Sequence, residues 1–365
     1  MYDLIITALQ AQQFNQAAQL LKQWQQKKPQ DPWLQLAIGQ YWEAKGELEK
    51  AQVIYTRLLQ NVSNTKVLSQ TREAMQRVRN QLAHRREHDL SEAKQQPGAT
   101  ATAVLILKPV AGEQRQQAAE GLSNVMQLDA YSARLKLPSQ TWRLYRVGPA
   151  GELQYFCEQL NAHQTPAGVV LVEDVKAIPV FRVQTIQSFE PQITVVCQNG
   201  QGQRGTIQLE WSDVTQWLVG QVPIYESVVD LGPWGKLTRK EATQDYAEII
   251  DWHLHGRGCL LRLCDRAYKH REAASPPTAT TVPAEDSPLI AASAWKSLKT
   301  YLQTAIPTPP YTDFAGFGEG ALDFIQLMPT FEPHIDLARN APSAWDEAFH
   351  LYSSLRFLLT PPGSR

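Results

Sequence analysis

The stretches Phe14-Asn15-Gln16-Ala17-Ala18-Gln19-Leu20-Leu21 and Leu48-Glu49-Lys50-Ala51-Gln52-Val53-Ile54-Tyr55 decide the reading of this chain. Phe14 and Leu48, Ala17 and Ala51, and Leu21 and Tyr55 each stand 34 residues apart. Within each stretch the apolar residues recur at three and four, which puts them on one face of a helix. A repeat of this length is a helical hairpin. It leaves one apolar face bare and buries it by stacking on a neighbour.

Working outward, the first 60 residues read as four helices. Leu4, Ala8 and Leu9 mark one apolar face, and Phe14, Ala17, Ala18 and Leu21 the next. Pro29 and Asp31-Pro32 break the chain, because proline lacks the N–H that a helix interior needs. Trp33, Ile38 and Trp42 follow at helical spacing, and Gly46 ends the third helix. Leu48, Ala51, Tyr55 and Leu58 form the fourth. Residues 66–94 read as one further polar helix that caps the stack.

Residues from 1 to about 63 resemble the tetratricopeptide repeat (TPR) family. Gly39, Trp42, Gly46, Ala51 and Tyr55 sit where that family places its small, aromatic, glycine, alanine and aromatic positions. The first unit keeps Ala17 and Pro29 but has Ile5 and Gln12 where glycines are usual. The resemblance implies a protein that holds another protein. It also implies that the first helix of each repeat lines a concave groove. Carried onto this sequence, the groove is Tyr2, Ile6, Leu9 and Gln10 from the first unit, with Trp33, Leu36, Gln40 and Glu43 from the second. An aromatic ring flanked by amide and carboxylate groups suits a peptide, the ring giving buried area and the polar groups orientation. The other reading, that Trp33, Leu36 and Ile6 pack on the rest of the chain, stays open at this point. The whole chain also looks similar to uncharacterised TPR-containing proteins of photosynthetic bacteria, some of whose relatives assist photosystem assembly.

Gln95-Gln96-Pro97-Gly98 is a break, and β-α patterning follows. Residues 103–107 read as a buried strand, 113–126 and 130–135 as helices, 142–147 as a strand, 152–161 as a helix and 169–172 as a strand. That order resembles the small fold shared by the ribosomal stalk protein's C-terminal domain and the ClpS adaptor. Ile193, Val195 and Cys197, then Ile207, Leu209 and Trp211, alternate across a glycine-rich loop and read as a hairpin. Ser212 or Asp213 is expected to cap a helix through Trp217. Residues 228–231 read as a strand, Thr238-Arg239-Lys240-Glu241 as a capping box opening a helix through Trp252, and 259–268 as a strand. Residues 275–288, rich in proline, alanine, threonine and serine, read as a linker. Residues 291–359 read as mostly helical.

The fold expected is therefore α+β and multidomain. TPR-like helices occupy 1–94, a small α/β module 95–175, a sheet-rich module 176–272, a linker 273–290, and a C-terminal helical segment 291–365. The 365 residues are 43% hydrophobic and 19% charged, the balance of a globular chain, and roughly 150 residues per domain gives two or three domains. A formal net charge of −1 supplies no field that recruits nucleic acid or an anionic membrane. The four cysteines, Cys157, Cys197, Cys259 and Cys264, are too sparse and irregular for a disulfide framework. With no secretory signal pattern at the start, a soluble cytoplasmic protein is expected. No transmembrane segment is expected, and peripheral membrane association stays open.

Several motifs fail on context. Gly200-Gln201-Gly202-Gln203-Arg204-Gly205 spells a phosphate-loop pattern, but a strand follows where a helix is needed, so it reads as a hairpin tip. His84-Arg85-Arg86-Glu87-His88 spells an inverted zinc-protease motif inside a polar helix and reads as a solvated face. His253, His255, Cys259 and Cys264 lack zinc-site spacing and read as core cysteines with exposed histidines. No catalytic residue, metal or cofactor is assigned. The expectation is a non-enzymatic scaffold or assembly factor for a protein or peptide partner. The alternative is a hydrolase or nucleotide-binding enzyme with its site in residues 100–272.

Overall fold

The computed structural model describes residues 1–231, 237–277, 288–339 and 342–360, with the side chains of 226–242 and 278–290 left aside. The chain divides into two units, Met1–Gln95 and Gln96–Arg365.

The first unit is five helices: α1 (Tyr2–Gln10), α2 (Phe14–Lys27), α3 (Pro32–Ala44), α4 (Leu48–Asn61) and α5 (Thr65–Gln95). Pro32 holds the first position of α3, where its missing N–H costs nothing, and the Asp31 carboxylate accepts the Trp33 N–H at 3.0 Å. The turn into α4 uses Gly46 at φ +78°, and the matching turn into α2 uses Gln12 at φ +56°. Two apolar clusters follow. Ile5, Ala8, Ala17, Leu21 and Leu34 close the first hairpin, and Leu36, Ala51, Tyr55, Val67 and Val78 close the second against α5. In α5 the last buried residue is Val78.

The second unit is layered. Its first sheet has β1 (Thr102–Leu107), β2 (Arg143–Pro149) and β3 (Ala167–Leu171), antiparallel in the order β2-β1-β3. Helices α6 (Arg115–Met126), α7 (Ala130–Lys136) and α8 (Ala150–Ala162) complete the expected β-α-α-β-α-β order, and α9 (Val172–Ala177) follows. The second sheet has β4 (Val180–Ser188), β5 (Ile193–Gln198), β6 (Arg204–Leu209), β7 (Gln216–Leu231), β8 (Leu237–Leu254) and β9 (Cys259–Cys264). Their order is β6-β5-β4-β9-β8-β7, with the β4–β9 pair parallel and the others antiparallel. Helices α10 (Pro288–Ala305), α11 (Phe314–Ala321) and α12 (Ala344–Leu359) come last.

Strand β1 is buried on both sides. Ala103, Leu105 and Leu107 pack with α6 and α8, whereas Val104 and Ile106 face a cluster holding Phe349, Tyr352 and Leu355 of α12 and Leu218 and Ile249 of the second sheet. The far face of the second sheet, with Trp217, Trp252 and Leu261, is covered by Trp295, Leu298 and Leu302 of α10. The layers thus run helix, sheet, helix, sheet, helix, with α12 in the middle. Residues from 95–175, 176–272 and 291–365 all contribute to one core cluster.

Three local expectations are corrected. The helix expected after Ser212-Asp213 is a single 3-10 turn, Trp211–Asp213, after which β7 begins. The helix expected from Thr238 to Trp252 is strand β8, paired along its length with β7. The strand expected to reach Tyr268 ends at Cys264. Of the expected linker, 278–287 lie outside the described residues.

Candidate partner-binding groove

Helices α1, α3 and α5 recur at the repeat period, and polar side chains join them. The Tyr2 hydroxyl on α1 donates to Gln40 Oε1 on α3 at 3.0 Å and lies 3.2 Å from Gln70 Oε1 on α5. The Tyr2 ring meets Trp33 edge to face, centroids 4.9 Å apart. Further along, the Glu43 carboxylate accepts from the Tyr55 hydroxyl at 2.8 Å and from Arg77 Nε at 3.1 Å. Glu43 and Arg77 are themselves 34 residues apart, so the repeat spacing carries on from α3 into α5. Burial pushes the Tyr2 and Tyr55 hydroxyls above the usual phenol range, so both stay protonated as donors at neutral pH.

The eight residues implied by the resemblance divide into three kinds. Tyr2, Trp33 and Gln40 are half-buried and in mutual reach, and Gln10 is exposed. Ile6 is half-buried against the first cluster, and half-buried Glu43 is committed to Tyr55 and Arg77. Leu9 of α1 and Leu36 of α3 instead point into the clusters, at 9% and 0% exposure, and pack beneath the surface. Sequence reasoning missed Gln70 and Arg77. The signal is in the sequence, since each repeats the 34-residue offset from Leu36 and Glu43, but a reading of residues 66–94 as a cap does not look for side chains that reach α1 and α3.

The constellations considered for chemistry come apart. The glycine-rich loop is the β5–β6 hairpin tip. There the Asn199 side chain accepts the Gln201 and Gln203 N–H groups at 3.0 and 2.9 Å, which occupies amides a phosphate would need. His88 lies with Asp89 and Glu92 on the open surface of α5, without His84. Cys259 and Cys264 fall in different clusters on opposite faces of the second sheet. His253 is not exposed as expected but fully buried, and His255 is half-buried. His253 Nε2 is 3.0 Å from Ser353 Oγ, which in turn donates to Asp251. That is not a hydrolytic triad. The acid holds the serine directly, His253 Nδ1 has no partner, and all three residues are sealed from solvent. Asp251 is held by Arg262 through bonds of 2.8 and 2.6 Å, so the group is a buried structural network.

Stacked helical hairpins at this period, with polar and aromatic side chains joining their first helices, have the form of a helical repeat unit. In agreement, residues 8–69 match the family model described as tetratricopeptide repeat. Comparison with curated proteins and with solved structures gives no match, and the likeness to proteins of photosynthetic bacteria finds no support there. Tetratricopeptide repeats suggest protein–protein interaction. Among the described residues, no helix is long and apolar enough to cross a membrane.

Proposed function

We propose that the first unit holds an extended segment of a partner protein across α1, α3 and α5, and that the chain serves as a non-enzymatic scaffold or assembly factor. The observation that carries this is the Tyr2–Trp33–Gln40–Gln70 surface, where three helices meet through an aromatic pair and two side-chain amides. The Tyr2 hydroxyl donates to the Gln40 carbonyl oxygen and lies beside that of Gln70, an arrangement that turns both amide N–H groups toward other acceptors. A peptide backbone in extended form offers such acceptors at regular spacing. The same reading keeps the chain in the cytoplasm and leaves peripheral membrane association open.

The test is affinity capture from the native host with wild type beside a Trp33→Ala, Gln40→Ala variant, each checked for an unchanged thermal melt. A defined protein retained by wild type and lost by the variant is the expected result. The same set of proteins on both baits would end the proposal.

A further inference from the structure

In the second unit, four side chains from distant parts of the sequence meet at a cleft of about 750 Å³. Lys108 follows the apolar run of β1, and Trp142 precedes β2. Tyr311 is tied to the edge of β7, its N–H donating to Trp217 O at 3.0 Å and its carbonyl accepting from Val219 N at 2.8 Å. Arg356 projects from the last turn of α12. Its guanidinium carbon is 4.1 Å from the centroid of Trp142 and 4.2 Å from that of Tyr311. Its Nη2 donates to Asp313 at 2.8 Å and its Nε to the Tyr352 hydroxyl at 3.0 Å. The tyrosine hydroxyl in turn donates a hydrogen bond to Asp313. The guanidinium is therefore fixed in place and oriented by four contacts: two rings, a carboxylate and a hydroxyl.

Charge in this cleft is unbalanced. Among the described residues, two cations, Lys108 and Arg356, line it against one carboxylate, Asp313, and that carboxylate is taken by Arg356 and Tyr352. Lys108 is half-buried, its ammonium 5.5 Å from the Trp142 centroid, with no carboxylate in ion-pair range among the described residues. Burial lowers its pKa, and the Arg356 charge lowers it further. An ammonium held partly out of water beside a guanidinium is destabilised until an anion joins it. The rest of the lining matches the tail of such a ligand: Pro109, Pro310 and Leu359 are apolar, while Gln140 and Thr312 offer polar atoms. The volume falls in the range of small-molecule sites.

We propose that this cleft binds a small organic oxyanion, a carboxylate or a phosphate ester, whose charge meets Lys108 with Arg356 behind it and whose apolar part lies along Pro109, Pro310 and Leu359. The test uses the full chain and two probes, phenyl phosphate and benzoate, in calorimetric titrations at low ionic strength. Wild type is expected to bind at least one probe saturably, and the tighter probe identifies the anionic group. Lys108→Gln removes a charge-assisted hydrogen bond and is expected to weaken that binding about ten-fold or more. Lys108→Arg keeps the charge and should bind within about three-fold of wild type, which separates lost charge from lost fold. Lys22→Gln, an exposed lysine of α2, should change nothing. Absence of saturable binding by wild type, or wild-type affinity in Lys108→Gln, would overturn the proposal.

Discussion

At Gly39 a methyl carbon added to the backbone would lie 2.3 Å from the Tyr55 ring. The same place in the first repeat holds Ile5, fully buried, and the residue facing it is the smaller Leu21. The two repeats thus fill one volume in two ways, glycine with tyrosine and isoleucine with leucine. Gly39→Ala is expected to destabilise the first unit by about 1–3 kcal/mol in urea unfolding, and adding Tyr55→Leu should recover part of that loss. Buried histidines set a second residue-scale expectation. Burial drives the pKa of His253 and His350 well below the usual imidazole value. Above about pH 6.5 both are neutral folded and unfolded. Below it the unfolded chain takes protons that the folded chain refuses, so stability falls as pH falls, by up to about 2.7 kcal/mol per unit for the pair. The raised carboxyl groups of Asp265 and Asp346 act in the opposite sense, because there the folded chain binds the protons first. Urea midpoints at pH 6.5 and 5.5 should show the drop, and His350→Gln should shrink it. An equal drop in the variant would contradict the assignment.

Among the elements, the two turns that precede α2 and α4 make the same left-handed bend with different residues. Gly46 adopts it without strain, whereas Gln12 carries a side chain there. Gln12→Gly is expected to stabilise the first unit by about 0.5–1 kcal/mol, measured by the same unfolding curves, and a loss of stability would refute it. This bend was legible as a departure from the repeat pattern, as were α1 to α5, because short-range apolar spacing dictates them. Strand β8 was not. Residues 247–254 are buried on both faces of the sheet, apart from half-buried Glu248, so the two-residue alternation that marks a strand is erased. Thr238 and Glu241 then imitated a helix start. Only the partner strand β7 decides the matter, and pairing between strands is not written in either one alone. Of the residues expected to line a groove, Leu9 and Leu36 are buried, because a helix period tells which residues share a face and not which of them a neighbouring helix covers.

For the molecule as a whole, the division at Gln95 and the single network at Asp251 make separable demands on stability. Arg262 and Asp251 are sealed from solvent, and Arg262 also donates to the Pro333 carbonyl while Asp251 accepts from Ser353. Removing one charge strands the other in a low dielectric, at a cost of about 3–5 kcal/mol. Arg262→Met should therefore speed amide hydrogen exchange across β4 to β9 and α12 and leave α1 to α5 at their wild-type rates. Faster exchange in the repeats would show that the two units stand or fall together.

Helix α12 is buried from Ala348 through Arg356 on every side, with both sheets of its unit resting on it. It is also translated after every strand it covers. While a ribosome is still reading the codons before Ala344, the inner faces of both sheets lack the cover that α12 gives them. The second unit must then close after synthesis of α12, when the strands it covers are already out of the exit tunnel. Nascent chains stalled before residue 344 are expected to be cut by protease throughout residues 100–277, and resistance there would contradict this order of events. Such a chain spends its youth as a candidate for chaperones, whatever its later occupation.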